Sequence, residues 1–286
     1  MQQHDSEHDR SAGDPNVAAA IANDAAIEDL AAPPRPTSHV WMIRLASMAM
    51  VIGAWEFAGR RTSPLFLSYP TAVVRAGATM LASGELLAAL ASSLQTVVVG
   101  FFTAAAIGIV LGLLIGRYRA VDAATDWLIN ALYATPLVAV IPLVILWLGL
   151  GDLAKLFVVT ILAVFPVLIN TAAGVRNVPR ALIEVSTAFA ASERQVFVKI
   201  ILPAAVPYVM TGLRLGIGRA IIGMVVAEFF TAITGLGALI VKYGNRYDTA
   251  SMFVPILVLM LLGIVLTSLV RRAEEHFAPW RMADDA

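Results

Sequence analysis

The chain contains no cysteine, which excludes disulfides, thiol nucleophiles and thiolate-bound zinc or iron–sulfur centres. Charge is scarce as well. Charged residues make up 14% of the sequence against 59% hydrophobic, with a formal net charge of +0. That balance lies outside the range of soluble globular domains and points to a membrane protein. A net charge of zero leaves no electrostatic footprint for nucleic acid. The histidines His4, His8, His39 and His276 all fall outside the long apolar runs, so neither a histidine metal site nor a histidine proton relay can be built within them. No Gly-x-x-x-x-Gly-Lys-Ser/Thr phosphate loop occurs, and no metalloprotease or intramembrane nucleophile pattern. These absences argue against an enzyme, a resident metal or a cofactor.

Six apolar runs reach the roughly 20 residues a spanning helix requires: Trp41 to Ala58, Ser92 to Gly116, Trp127 to Gly149, Leu153 to Gly174, Ala204 to Phe230 and Met252 to Val270. Irregular backbone in lipid would leave amides unpaired, so the expected fold is all-α, a polytopic protein with six transmembrane helices. Residues 1–38 are polar, Ala- and Pro-rich and free of aromatics; they are expected to form a disordered cytoplasmic tail ahead of a membrane domain over 39–286. Arg35, Arg117, Arg119, Arg176, Arg180, Arg194, Lys199, Arg271 and Arg272 gather on one side of these spans, against Arg60, Arg61, Arg75, Lys155, Lys242 and Arg246 on the other. The bias sets both termini and the segment 176–203 in the cytoplasm. A short helix from about Ala72 to Leu81 is expected between the first two spans. Gly108, Gly112 and Gly116, with Gly212 and Gly216, offer flat faces for packing within the chain or against a second copy. Pro136, Pro142 and Pro166 predict kinks in the third and fourth spans.

The most informative segment is the polar interruption between the fourth and fifth spans. Asn177 can cap a helix with Pro179 in its first turn, which places Leu182, Val185 and Phe189 on one stripe. Ser192 and Gln195 fit a capping box, Val196, Phe197, Ile200 and Ile201 give a second stripe, and Pro203 is expected to end that helix. The pattern describes a helical hairpin outside the bilayer. An interfacial helix and a docking element for a soluble partner both satisfy it.

Glu184, Ala190 and the Ile200-Ile201-Leu202-Pro203 end resemble the EAA loop of permeases from ATP-binding-cassette importers. Glu184, Val185 and Ser186 stand for Glu-Ala-Ala, Ala190 stands where the family has Gly, and Ile200, Leu202 and Pro203 match the end. Val185, Ser186 and Ala190 are the departures. The likeness runs from about Trp41 to Arg272 and includes Ser68-Tyr69-Pro70-Thr71, Leu146-Trp147-Leu148-Gly149 and Ala227-Glu228-Phe229-Phe230. It is similar to the sulfonate, taurine and nitrate branch of the binding-protein-dependent inner membrane components.

The resemblance implies a type I importer permease working with cytoplasmic ATPase subunits, an extracytoplasmic solute-binding protein and a second permease copy in the lipid of a bacterial inner membrane. It also implies that Leu182, Glu184, Ser186, Phe189, Ala190, Ala191 and Pro203 couple the spans to the ATPase, with Leu182, Phe189 and Ala190 forming a face buried on the partner. Among ionisable groups in or near spans, Glu56, Lys155 and Glu228 lie near ends, where snorkelling suffices. Arg214 and Arg219 sit deeper and are candidates for an anion path or for pairing with other helices. A gradient-driven transporter or channel is the rival; it predicts acidic or histidine relays at mid-membrane. A membrane scaffold without transport would leave the kinked spans and the deep arginines unexplained.

Overall fold

A computed structural model describes residues 39–277 of the chain; the expected tail, 1–38, lies outside them. The described residues divide into two units between Ala54 and Trp55. In the first, the described residues are the opening turns of helix α1 (His39–Arg61), where Ser47 Oγ donates to the Arg44 carbonyl at 2.9 Å. The rest of α1 belongs to the second unit, followed by α2 (Pro70–Ala82), α3 (Glu85–Arg117), α4 (Arg119–Ala134), a 3-10 turn (Leu137–Val140), α5 (Ile141–Leu148), α6 (Asp152–Arg176), α7 (Arg180–Ala188), α8 (Glu193–Val196), a π-helical segment (Phe197–Ile201), α9 (Leu202–Thr231), α10 (Leu236–Gly244) and α11 (Thr249–Phe277). Every regular element among the described residues is helical, as the apolar runs require.

Five of these helices are long and apolar enough to cross a membrane, or six if α4 and α5 with its leading turn count as one span bent by 83°. The expected third span, Trp127 to Gly149, is therefore a broken helix. Pro136 lacks an N–H and forces Thr135 into an extended conformation, φ −68° and ψ 133°. Pro142 lies in the first turn of α5, where no donor is missed. Pro166 stays inside a continuous α6, its carbonyl taking a 2.8 Å hydrogen bond from Asn170 Nδ2. The helix expected near Ala72 to Leu81 is α2.

Helix α6 lies at the centre, packed along its length by α3 on one side and α9 on the other. Small residues four apart make this possible, because they form a ridge that lets backbones approach. A methyl group on Gly108 would lie 2.8 Å from Val167 Cβ, one on Gly112 2.6 Å from Thr171 Cβ, and one on Gly116 2.6 Å from Val175 Cβ. From α9, a methyl on Gly212 would come within 3.0 Å of Asn170 Cβ and one on Gly216 within 2.9 Å of Val167 Cγ2. These faces are used within the chain. They leave no room for a second copy.

Candidate functional site

The segment between α6 and α9 folds as a hairpin, built differently from the expected one at both ends. Asn177 closes α6 rather than opening α7, whose N-cap is Pro179, an extended residue at φ −55° and ψ 127°. Helix α7 ends at Ala188, and the turn that follows is a Schellman motif: Ala190 N–H donates to the Thr187 carbonyl at 2.9 Å and Ala191 N–H to the Ser186 carbonyl at 3.0 Å. Ala190 takes the left-handed position, φ 50°. Ser192 and Gln195 form the capping box, with Ser192 N–H donating to Gln195 Oε1 at 2.8 Å and Gln195 N–H to Ser192 Oγ at 3.4 Å.

Pro203 does not end the second arm, contrary to expectation. The helix runs from Glu193 through to Thr231. Over Phe197–Ile201 it widens to π geometry, with Leu202 N–H reaching the Phe197 carbonyl; the wider turn relieves the clash of the Pro203 ring with the preceding carbonyl. The hairpin is thus one short helix strapped to the foot of a long one. Ile183, Val178, Val196 and Phe197 fasten it to Val175, Ile201 and Ala205, and Arg117 pairs with Glu193 at 3.5 Å and Arg176 with Asp122 at 3.0 Å.

What the hairpin does not cover is its outer face. Leu182, Val185 and Phe189 are exposed, Phe189 at 83%. Glu184 is exposed and makes no ion pair or hydrogen bond among the described residues, not even with Arg180 four residues earlier on the same helix. Ser186 is buried, donating to the Ile183 carbonyl at 2.7 Å; Ala190 and Pro203 are exposed and Ala191 half-buried.

The ionisable groups in the spans reverse the expected order. Arg214 is half-exposed and ion-paired to Glu274 near the end of α11. Arg219 is exposed and unpaired among the described residues. Measured from Thr231, the two lie about 26 and 18 Å along α9; a bilayer core of about 30 Å beginning at Thr231 would put Arg214 near its other edge and Arg219 near its middle. Glu228 and Lys155, expected to snorkel, are 0% and 2% exposed. Glu228 Oε1 accepts from Ser93 Oγ at 2.7 Å and Oε2 from Gly237 N–H at 2.8 Å. Lys155 Nζ contacts Asp152 Oδ1 at 2.6 Å and donates to Thr234 Oγ1 at 2.8 Å. Sequence reading missed this cluster. Its signals were the Ser92-Ser93 pair in an apolar helix and Gly235-Leu236-Gly237 seven residues after a carboxylate.

Residues 108–279 match the family model described as "binding-protein-dependent transport system inner membrane component". The chain belongs to this family. The aliphatic sulfonates permease SsuC of Bacillus subtilis is 33% identical over 84% of this chain and 88% of its own length. The taurine transport system permease protein TauC of Escherichia coli is 29% identical over 86% and 92%. Among solved structures, the fold matches the inward-facing MetNI methionine ABC transporter, with a TM-score of 0.52 at 22% identity over 68% of this chain and 96% of that one. An amino acid ABC transporter matches with a TM-score of 0.51 at 17% identity. The chain is an ABC importer permease, a transport subunit of the membrane rather than an enzyme, and the likeness inferred from its EAA-like loop holds. The gradient-driven alternative is not favoured, and Glu228 sits one turn from the end of α9 rather than at mid-depth.

Proposed function

We propose that this permease moves a small oxyanion of the sulfonate, taurine or nitrate class, and that hairpin 176–203 faces the cytoplasm and receives the motion of an ATPase. The observation that carries this reading is the hairpin's outer face: an apolar stripe of Leu182, Val185 and Phe189 beside an unpaired Glu184, with a wedged inner face that makes the whole segment a stiff lever. A helix with exposed i, i+3, i+7 anchors fits a groove in a soluble partner. The full complex would hold two copies of this chain, two ATPase subunits and an extracytoplasmic binding protein. The anion class is supported by the relatives named for sulfonates and taurine and by Arg219, whose guanidinium offers an oxyanion paired donors.

In the assembled complex, Glu184 would accept charge-assisted hydrogen bonds, and its removal would leave those donors unpaired at a partly buried interface, a loss of about 2–5 kcal/mol. Glu184→Ala is expected to leave permease abundance in membranes unchanged while weakening ATPase co-purification and abolishing ATP-driven uptake. Uptake at the wild-type rate, coupled to ATP hydrolysis, would take Glu184 out of the mechanism.

A further inference from the structure

Helix α10 begins without a cap of its own. Its N-cap is Gly235, at φ 103°, and any side chain there would collide with the Glu228 carboxylate. Two side chains from other helices take over. Ser93 Oγ of α3 accepts the Leu236 N–H at 2.8 Å while donating to Glu228, and Glu228 of α9 accepts the Gly237 N–H. A carboxylate set against a helix N-terminus satisfies both the free amides and the helix dipole. The loop before α10 is gripped as well: Thr234 Oγ1 takes hydrogen bonds from Lys155 of α6 and, at 3.2 Å, from Ser92 of α3. At its far end α10 is tied to the start of α3, where Glu85 accepts from Lys242 and, at 2.7 Å, from the Tyr243 hydroxyl. That acceptor pushes the Tyr243 hydroxyl up to about 12, so it remains a donor. Beneath these ties Leu236 is fully buried.

We propose that Glu228 and Ser93 form a latch that seats α10 over the end of the bundle opposite the hairpin, and that α10 leaves this seat during ATP-driven transport. The inference rests on the permease reading above. Intramembrane charges are expensive and mark moving or conducting parts; Glu228 holds the Gly237 amide and Ser93, and Lys155, paired with Asp152, also holds Thr234. A polar latch trades its partners for water or a passing oxyanion at little net cost when it opens, and each donor freed from Glu228 is one an oxyanion accepts. Glu228 and Ser93 are positioning residues here; they touch α10.

The test uses the cysteine-free background. Leu236→Cys is placed in the full permease, purified with its ATPase in lipid nanodiscs, and challenged with a charged maleimide. Labelling is expected to be slow without nucleotide and roughly tenfold faster with Mg-ATP and orthovanadate, as a buried site opens. Equal rates in a complex that hydrolyses ATP overturn the latch. A chain that never binds an ATPase and never responds to ATP overturns the permease reading along with it. Ala238→Cys, 7% exposed, repeats the measurement one turn-half further along α10 without shortening Leu236. Glu228→Ala is expected to label Leu236→Cys quickly even without nucleotide, whereas Glu228→Gln, which keeps an acceptor oxygen and the shape, stays near the slow rate. Slow labelling in Glu228→Ala shows that apolar packing alone seats α10 and also overturns the proposal.

Discussion

Ala190 holds the left-handed corner of the hairpin, φ 50°, and the substitution Ala190→Gly isolates what that corner costs. A β-carbon in this region clashes with the following carbonyl by about 1–2 kcal/mol. Glycine removes that strain but gives the unfolded chain more freedom, an opposing cost of about 0.4–1 kcal/mol. Ala190 is exposed, so no packing is lost, and the net gain is about 0.5–1 kcal/mol, confined to the hairpin. Two amides report it directly, Ala191 N–H on Ser186 and the N–H of residue 190 on Thr187. Their hydrogen-exchange protection is expected to rise about two- to fivefold in Ala190→Gly. Ala188→Gly is the control: two residues earlier and still helical, it is expected to lower protection of the same amides, costing about 0.5–1 kcal/mol. Protection that falls in Ala190→Gly, or changes of the same sign in both variants, would refute the strained Schellman turn. A loss of ATPase co-purification with the turn intact would show instead that the Ala190 methyl packs on the partner.

Arg219→Lys is expected to reduce uptake of taurine or nitrate well beyond any change in melting temperature, because lysine cannot reproduce paired donors; equal losses would return Arg219 to a structural role. Gly112→Ala puts a methyl 2.6 Å from Thr171 Cβ and 2.7 Å from the Leu168 carbonyl, and is expected to destabilise by about 1–3 kcal/mol. Gly263→Ala meets nothing within 4 Å and is expected to stabilise α11 by up to about 1 kcal/mol; a clear loss of assembly there would locate a partner helix on that face. Single cysteines at Ser192 and Asn245 are expected to differ in intact cells, only Asn245→Cys reacting with an impermeant thiol reagent, and labelling of Ser192→Cys from outside would invert the topology.

The sequence made the long helices legible because length and apolarity alone specify them in a membrane: α3, α6, α9 and α11 each contain an expected span. It located the α7 stripe, the Ser192 capping box and the residue standing where the family has Gly, since caps and turns are written in residues three or four apart. It failed where a proline's effect depends on its surroundings. Pro136 breaks a span, Pro142 starts a helix, Pro166 and Pro203 are absorbed, and no local pattern separates these outcomes. The buried latch was hidden for a second reason. Glu228 and Lys155 are 73 residues apart by number and look like end-of-span residues that reach for water; only the placement of α10 over them, itself an unexpected nine-residue helix, encloses both.

The hairpin and the latch lie at opposite ends of one continuous helix, and this gives the coupling a geometry. Helices α3, α6 and α9 are knit by glycine contacts that leave no slack, so under the proposed coupling a push on the hairpin would move them as one slab. Helix α10 packs more extensively on α11 than on any other single helix. Two groups of polar ties join the slab to that pair: Arg214 with Glu274 near the hairpin, and at the far end Glu228 with the Gly237 amide, Ser93 with the Leu236 amide, Lys155 and Ser92 with Thr234, and Glu85 with Lys242 and Tyr243. Arg214 and Glu228 are about 21 Å apart along α9, so a tilt of about 6° about the first displaces the second by about 2 Å. Glu228 holds Gly237 at 2.8 Å, and a hydrogen bond stretched by that much is no longer one. A small rigid-body rotation, of the size interfaces between packed helices permit, would therefore suffice to break the Glu228 tie to α10 without deforming any helix.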